Sequence, residues 1–217
     1  ATIRFKAFIA SAGGFQANRE WLREYWGDAA DNFQIRGTPY AQGRVLKDLL
    51  GQGVQEVGDP TQFHAVANDA RAPMEDGGLA MRLDCVPFSV VVNRDVESFY
   101  DEGEDVWPKR YAIWGRLIAQ QPGTFKAQSL DYCRTEGLTP PKSHWARKID
   151  TPPYYCHPLR PGITFTFLSV KVNDRARVMM QDGSPSANMF ASGEIMSGNI
   201  LGQGYLAGFG MAIGTVF

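Results

Sequence analysis

The sequence predicts an α/β fold, and three patterns carry that expectation. "IRFKAFIASAGGF" alternates and then runs apolar until Gly13-Gly14, as a buried strand running into a close backbone approach does, and an amphipathic helix pattern follows. "ITFTFLSVKVN" shows period-2 alternation from Ile163 to Val172, the strongest strand in the chain. The close of the chain reads as a strand, "MFAS", then Glu194, a glycine-rich turn and a final helix.

The remaining elements follow in order. "NREWLREYWG" puts Trp21, Leu22, Tyr25 and Trp26 at helical spacing, with Asn18 as cap and Gly27 as stop. "TPYAQGRVLKDLLGQG" repeats that grammar, with Thr38 as N-cap, Pro39 at the first helical position and Gly51 at the end. "VQEVGDP" supplies a short strand and turn. "SVVVN" and the segment around Phe99-Tyr100 predict a hairpin, and "VWPKRYAIWGRLIAQQPG" a helix. From Gly137 to Gly162 six prolines predict loop, and "ARVMMQDGSPSANMFAS" reads as two strands joined at Asp182-Gly183.

Composition narrows the function classes. At 217 residues, 44% hydrophobic and 21% charged, the chain can bury an ordinary globular core. A net charge of −1 with scattered basic residues offers no footprint for nucleic acid. Three cysteines in unrelated contexts point to a reducing compartment, and the three histidines lack metal-ligand spacing, so no metal site is expected. The chain opens without Met and reads as the interior of something longer.

Ile195 to Phe217 carries no charge, which raises the question of a membrane anchor. Six glycines, several polar residues and the lack of flanking Lys or Arg argue against direct membrane insertion. "GQGYLAG" imitates a dinucleotide loop, but only 13 residues follow Gly204, too few for the strand and acidic residue such a loop needs. The remaining reading is a helix whose small residues allow close packing or approach to a ligand, with Glu194 in need of nearby donors.

At this point "NMFASGEIMSGNILGQGYLAGFGMAIGTVF", "KAFIASAGGF" and "VVVNRDVESFYDE" together resemble the fumarate reductase/succinate dehydrogenase flavoprotein superfamily. "FHAVANDARAP", "WPKRYAIWGR", "GLTPPKSHWAR" and "LRPGITFTFLSVKV" are similar to its tricarballylate dehydrogenases. The resemblance implies a Rossmann-like FAD-binding domain with an inserted α+β cap. Residues 1–58 and 159–217 would form the FAD-binding part and 59–158 the substrate cap, shortened. It implies an FAD-dependent enzyme that dehydrogenates a CH–CH bond of a polycarboxylate, cytoplasmic, with a redox partner that reoxidises the flavin and through which it would touch a membrane.

Carried over residue by residue, the base is Arg110 and a substrate-binding histidine is His64. Glu194 would accept from the flavin ribityl chain, and Gly13 and Gly14 would lie near the adenosine half. Gly202, Gly204, Tyr205 and Leu206 would bring N–H groups to the flavin pyrimidine edge, where negative charge develops on reduction. Three departures qualify this. Ile200 stands where fumarate reductases carry a carboxylate-clamping arginine. Thr164-Phe165-Thr166 replaces their H-H-T, which moves the clamp to His157 and Arg160. The family's N-terminal G-x-G-x-x-G unit, which holds the ADP half, has no counterpart, so the chain reads as a C-terminal fragment. A precorrin-processing flavoprotein and a truncated, non-catalytic chain are the alternatives.

Overall fold

The computed structural model describes residues 3–75, 82–84, 86–93, 95–104, 111–112, 134–143, 146 and 152–217. Helix α1, Arg19–Trp26, begins as expected: the Asn18 side chain accepts from the Trp21 N–H at 3.0 Å. Gly27, at φ 55°, ends it. Trp21 and Leu22 face the core, and the Trp26, Phe33 and Phe63 rings pack edge to face or tilted with centroids 5.1–5.5 Å apart.

The second helix starts later than its sequence grammar suggests. Thr38 Oγ1 accepts from the Tyr40 N–H at 3.2 Å, which makes a local side-chain turn instead of a helix cap. Helix α2 is Arg44–Gly51, entered through Gly43 at φ 69°. A Cβ on Gly43 would lie 2.5 Å from the Trp21 ring, so close passage over α1 selects glycine there.

Two three-stranded sheets organise the rest. In the first, β1 (Phe8–Ala10) lies parallel to β8 (Pro185–Ala191), which pairs antiparallel with β7 (Arg177–Met179). The expected turn at Asp182-Gly183 joins β7 and β8, and Asp182 Oδ1 accepts from Ser184 N and Oγ. β1 is a short edge strand, so its expected burial is only half met: Ala10 is buried and Ile9 is 66% exposed. In the second sheet, order β2-β5-β4, β2 (Gln34–Ile35) is parallel and β4 (Phe63–Asp69) antiparallel to the central β5 (Leu159–Thr166).

β5 corrects two expectations at once. It begins inside the proline-rich stretch and includes Pro161, opposite Ala67 of β4. That is tolerated because β2 pairs only with Gly162 and Ile163, leaving no strand among the described residues beside Pro161 on that flank. At its other end the long alternation breaks at Phe167 and Leu168, which are consecutive and both buried. The chain turns there, and β6 (Ser169–Val170) leaves to pair antiparallel with β3 (Glu56–Val57).

The hairpin expected around "SVVVN" is replaced by a side-chain-held loop. Val86–Phe88 is a 3-10 turn, the buried Glu102 carboxylate accepts from the Val91 N–H at 3.0 Å, and Asn93 Oδ1 accepts from Asp95 N and Glu97 N. Side-chain acceptors take the donors that a ladder would use. The helix expected over 106–123 lies outside the described residues except for Tyr111 and Ala112, which form a turn. The chain closes with a 3-10 turn, Gly193–Asn199, and helix α3, Phe209–Val216. The core, with Phe15, Leu22, Phe33, Leu46, Phe63, Ile163, Phe167 and Ile195 wholly buried, sits between the two helices, the β2-β5-β4 sheet and that 3-10 turn.

Candidate active site

Glu194 opens the 3-10 turn after β8, where its Oε1 accepts from the Gly14 N–H at 3.1 Å. Thr166 Oγ1, at the end of β5, accepts from the Phe15 N–H at 3.1 Å. A Cβ on Gly14 would fall 2.2 Å from Thr166 Oγ1, so the glycine pair is the place where two polar side chains reach the backbone. Burial pushes the Glu194 carboxyl up to about 7, with the Gly14 N–H and the Gln16 side chain opposing.

Beside Glu194 lies a cavity of about 370 Å³, within the size range of small-molecule sites. Its polar side is His64, Arg36, Arg82, Tyr111 and Thr164, and its apolar side is Phe165, Met211 and Ile213. Tyr205 closes one wall. Its ring stacks on the His64 imidazole at 3.8 Å and 18°, while its hydroxyl accepts from the Gly210 N–H at 2.9 Å and so satisfies a first-turn donor of α3. Phe165 and Tyr111 present their rings to His64 near right angles, at 5.3 and 6.0 Å.

His64 is buried, and among the described residues neither ring nitrogen has a hydrogen-bond partner. Burial, then the positive Arg36 and Arg82, push its pKa down to about 3, so the imidazole is neutral, one nitrogen a donor and the other an acceptor. Arg36, immediately after β2, is 8% exposed. It donates from Nη1 to Thr164 Oγ1 at 2.7 Å, while its Nε–H has no partner among the described residues. Among the described residues no carboxylate lies within ion-pair distance of it. Burial and the nearby Arg82 lower its pKa. Arg82 is itself paired with Asp84 at 2.6 Å and sits over the Tyr111 ring at 4.6 Å.

The sequence-predicted residues divide. His64, Glu194 and Tyr205 meet at this cavity. Gly13 and Gly14 lie against the Glu194 carboxylate. Gly202 and Gly204 have open space where a side chain would project, and Leu206 is exposed. His157 and Arg160 are not brought to the cavity. The His157 Nδ1 is 3.3 Å from Arg71 Nη2 on the surface, and Arg160 donates to the Met74 sulfur at 2.7 Å. Arg160 stands opposite Asn68, whereas His64 stands opposite Phe165, roughly 13 Å away along β4. Arg110 lies outside the described residues. Arg36 and Arg82 stand in no motif; the only signal for Arg36 was a charge closing the apolar run "FQIRG".

An α/β chain whose last strand feeds a carboxylate, a glycine-rich turn and a ring-lined cavity is built in the manner of a flavoenzyme domain. The chain belongs to the FAD binding domain family, whose model matches residues 1–210, and FAD is its cofactor. It is 23% identical to the NADH:acrylate oxidoreductase of Vibrio harveyi over 88% of this chain and 24% of that protein. Over 57 residues, 26% of this chain and 10% of the relative, it is 40% identical to the digoxin reductase of Eggerthella lenta. Its fold matches the open conformation of a flavocytochrome c3 fumarate reductase with a TM-score of 0.62, at 18% identity over 98% of this chain and 44% of that one. The 3-ketosteroid-Δ4-(5α)-dehydrogenase from Rhodococcus jostii RHA1 matches with a TM-score of 0.60, at 13% identity over 97% of this chain and 50% of that one. The chain thus spans about a quarter or less of these curated relatives and half or less of the solved ones.

The residues present fit the flavin half of FAD. Gly202 and Gly204 present open backbone that a flat ring can approach, and at the cavity His64 has a ring donor and acceptor that no described residue takes. Among the described residues no helix is long and apolar enough to cross a membrane.

Proposed function

We propose that the protein is an FAD-dependent oxidoreductase acting on a carbon–carbon bond next to a carboxylate, with a polycarboxylate of the tricarballylate type as substrate. The observation that carries the carboxylate is Arg36: a buried guanidinium with a free Nε–H and no counter-ion among the described residues. An unpaired buried charge of that kind costs several kcal/mol, which an incoming carboxylate offsets. The name of the Vibrio harveyi relative, an acrylate oxidoreductase, supports an unsaturated acid as one partner of the reaction.

Dehydrogenation removes a hydride, which FAD accepts when bound, and a proton, which the resemblance assigns to Arg110. Arg36, oriented by Thr164, holds the carboxylate plane. Neutral His64 adds a hydrogen bond without adding charge. Glu194, Gly202, Gly204, Tyr205 and Leu206 form the flavin-facing wall, with Gly13 and Gly14 behind Glu194. The division into FAD-binding parts 1–58 and 159–217 around a cap, a reoxidising redox partner and a cytoplasmic location complete the reading.

The test is anaerobic addition of tricarballylate to the FAD-loaded protein. Bleaching of the flavin absorbance, reversed by cis-aconitate, is the expected result. A spectrum that neither substrate changes, in protein with flavin stoichiometrically bound, refutes it.

A further inference from the structure

The charges facing the cavity select among carboxylates. Among the described residues two are cationic, Arg36 and Arg82, and Asp84 already offsets Arg82 at 2.6 Å. Among the described residues Glu194 is the one carboxyl in the wall, held to Gly14 by its Oε1. Burial keeps His64 and Tyr111 neutral. That leaves Arg36 as the one guanidinium without a counter-ion among the described residues that line the cavity, and so a seat for an anionic group. A second carboxylate brought in beside the first would meet Glu194, whose Oε1 is already held by Gly14 and which becomes a like charge above about pH 7, or Phe165, Met211 and Ile213, which have no donors to offer.

We infer that the cavity seats a single carboxylate on Arg36, with Thr164 orienting the guanidinium and one His64 nitrogen completing the hydrogen bonding, and that the ligand's carbon body lies on Phe165, Met211 and Ile213. The ligand class is a monocarboxylate with an apolar tail. A polycarboxylate uses one of its acid groups here and leaves the others outside. This narrows the carboxylate reading above and rests on it.

Binding is tested on the full chain loaded with FAD, by calorimetry and by the nitrogen NMR signals of the His64 imidazole, using butanoate, 4-phenylbutanoate and tricarballylate. Burying a phenyl group makes 4-phenylbutanoate bind at least about tenfold tighter than butanoate. Tricarballylate binds within about threefold of butanoate, because its outer carboxylates stay solvated. Arg36→Gln weakens all three by about thirtyfold or more, and Arg36→Lys restores part of the loss, as expected of a charge-assisted pair. The inference is overturned if tricarballylate binds about tenfold tighter than 4-phenylbutanoate. It is equally overturned if no carboxylate moves the His64 signals, or if both folded Arg36 variants bind as the parent does. Monocarboxylates that bind through Arg36 while no acid changes the flavin spectrum would leave this inference standing and remove the redox reading.

Discussion

Replacing Glu194 by Gln keeps the shape of a side chain that accepts from the Gly14 N–H and removes its titration. Burial raises the folded-state pKa from 4.5 to about 7. The unfolded chain therefore loses its proton first as pH rises, so the carboxyl's contribution to stability is complete below pH 4.5 and declines until pH reaches about 7. At about 1.36 kcal/mol per pH unit the ceiling is roughly 3 kcal/mol, and residual solvation brings the expected change to about 2 kcal/mol. His64 works in the opposite sense. Its pKa is depressed from 6.5 to about 3, so its neutral form contributes fully above pH 6.5 and the contribution is lost as pH falls towards 3. Between pH 4.5 and 6.5 the two slopes oppose, and the parent protein is nearly flat with respect to this pair. Urea unfolding across pH 4 to 8 checks this. Glu194→Gln gains about 2 kcal/mol relative to the parent on going from pH 4 to pH 8, and His64→Phe shows a fall in stability over that range that the parent does not. A difference between parent and Glu194→Gln that stays constant with pH refutes the burial argument.

Three further outcomes follow from particular contacts. Thr166→Val leaves the buried Phe15 N–H without its acceptor and destabilises by about 1–3 kcal/mol in urea titration. Tyr205→Ala removes the ring stacked on His64 and admits water, so the His64 pKa followed by NMR rises towards 6.5; Tyr205→Phe keeps the stack, loses the Gly210 cap and leaves that pKa low. Asn18→Ala removes the α1 cap and costs about 1 kcal/mol, read as a lower unfolding midpoint.

Local signals were legible wherever a residue acts on its chain neighbours. Asn18 caps α1, Gly27 ends it, and Asp182-Gly183 turns β7 into β8, because capping and turn geometry involve only a few adjacent residues. Thr38 misled for the same reason: two local uses of its hydroxyl compete, and the passage of Gly43 over Trp21 decided between them. Pro161 within β5 was hidden because its tolerance depends on where β2 stops, a long-range fact.

For the site, the family resemblance picked out Glu194, His64 and Tyr205, which the fold brings to one cavity, and assigned the uncharged ending to a wall around the flavin. It did not single out Arg36, on which the proposed carboxylate seat rests. Arg36 follows β2, Thr164 belongs to β5, Arg82 lies beyond β4 and Met211 is in α3, so only sheet pairing and the folding-back of the C-terminal segment bring them together. The same logic separates His157 and Arg160 from the cavity, because antiparallel register sets them at the far end of β4 from His64. Chemistry that belongs to side chains is written in the sequence; the burial that leaves an ordinary arginine without a counter-ion among the described residues, and turns an ordinary glutamate into a group titrating near neutrality, comes from packing between distant segments.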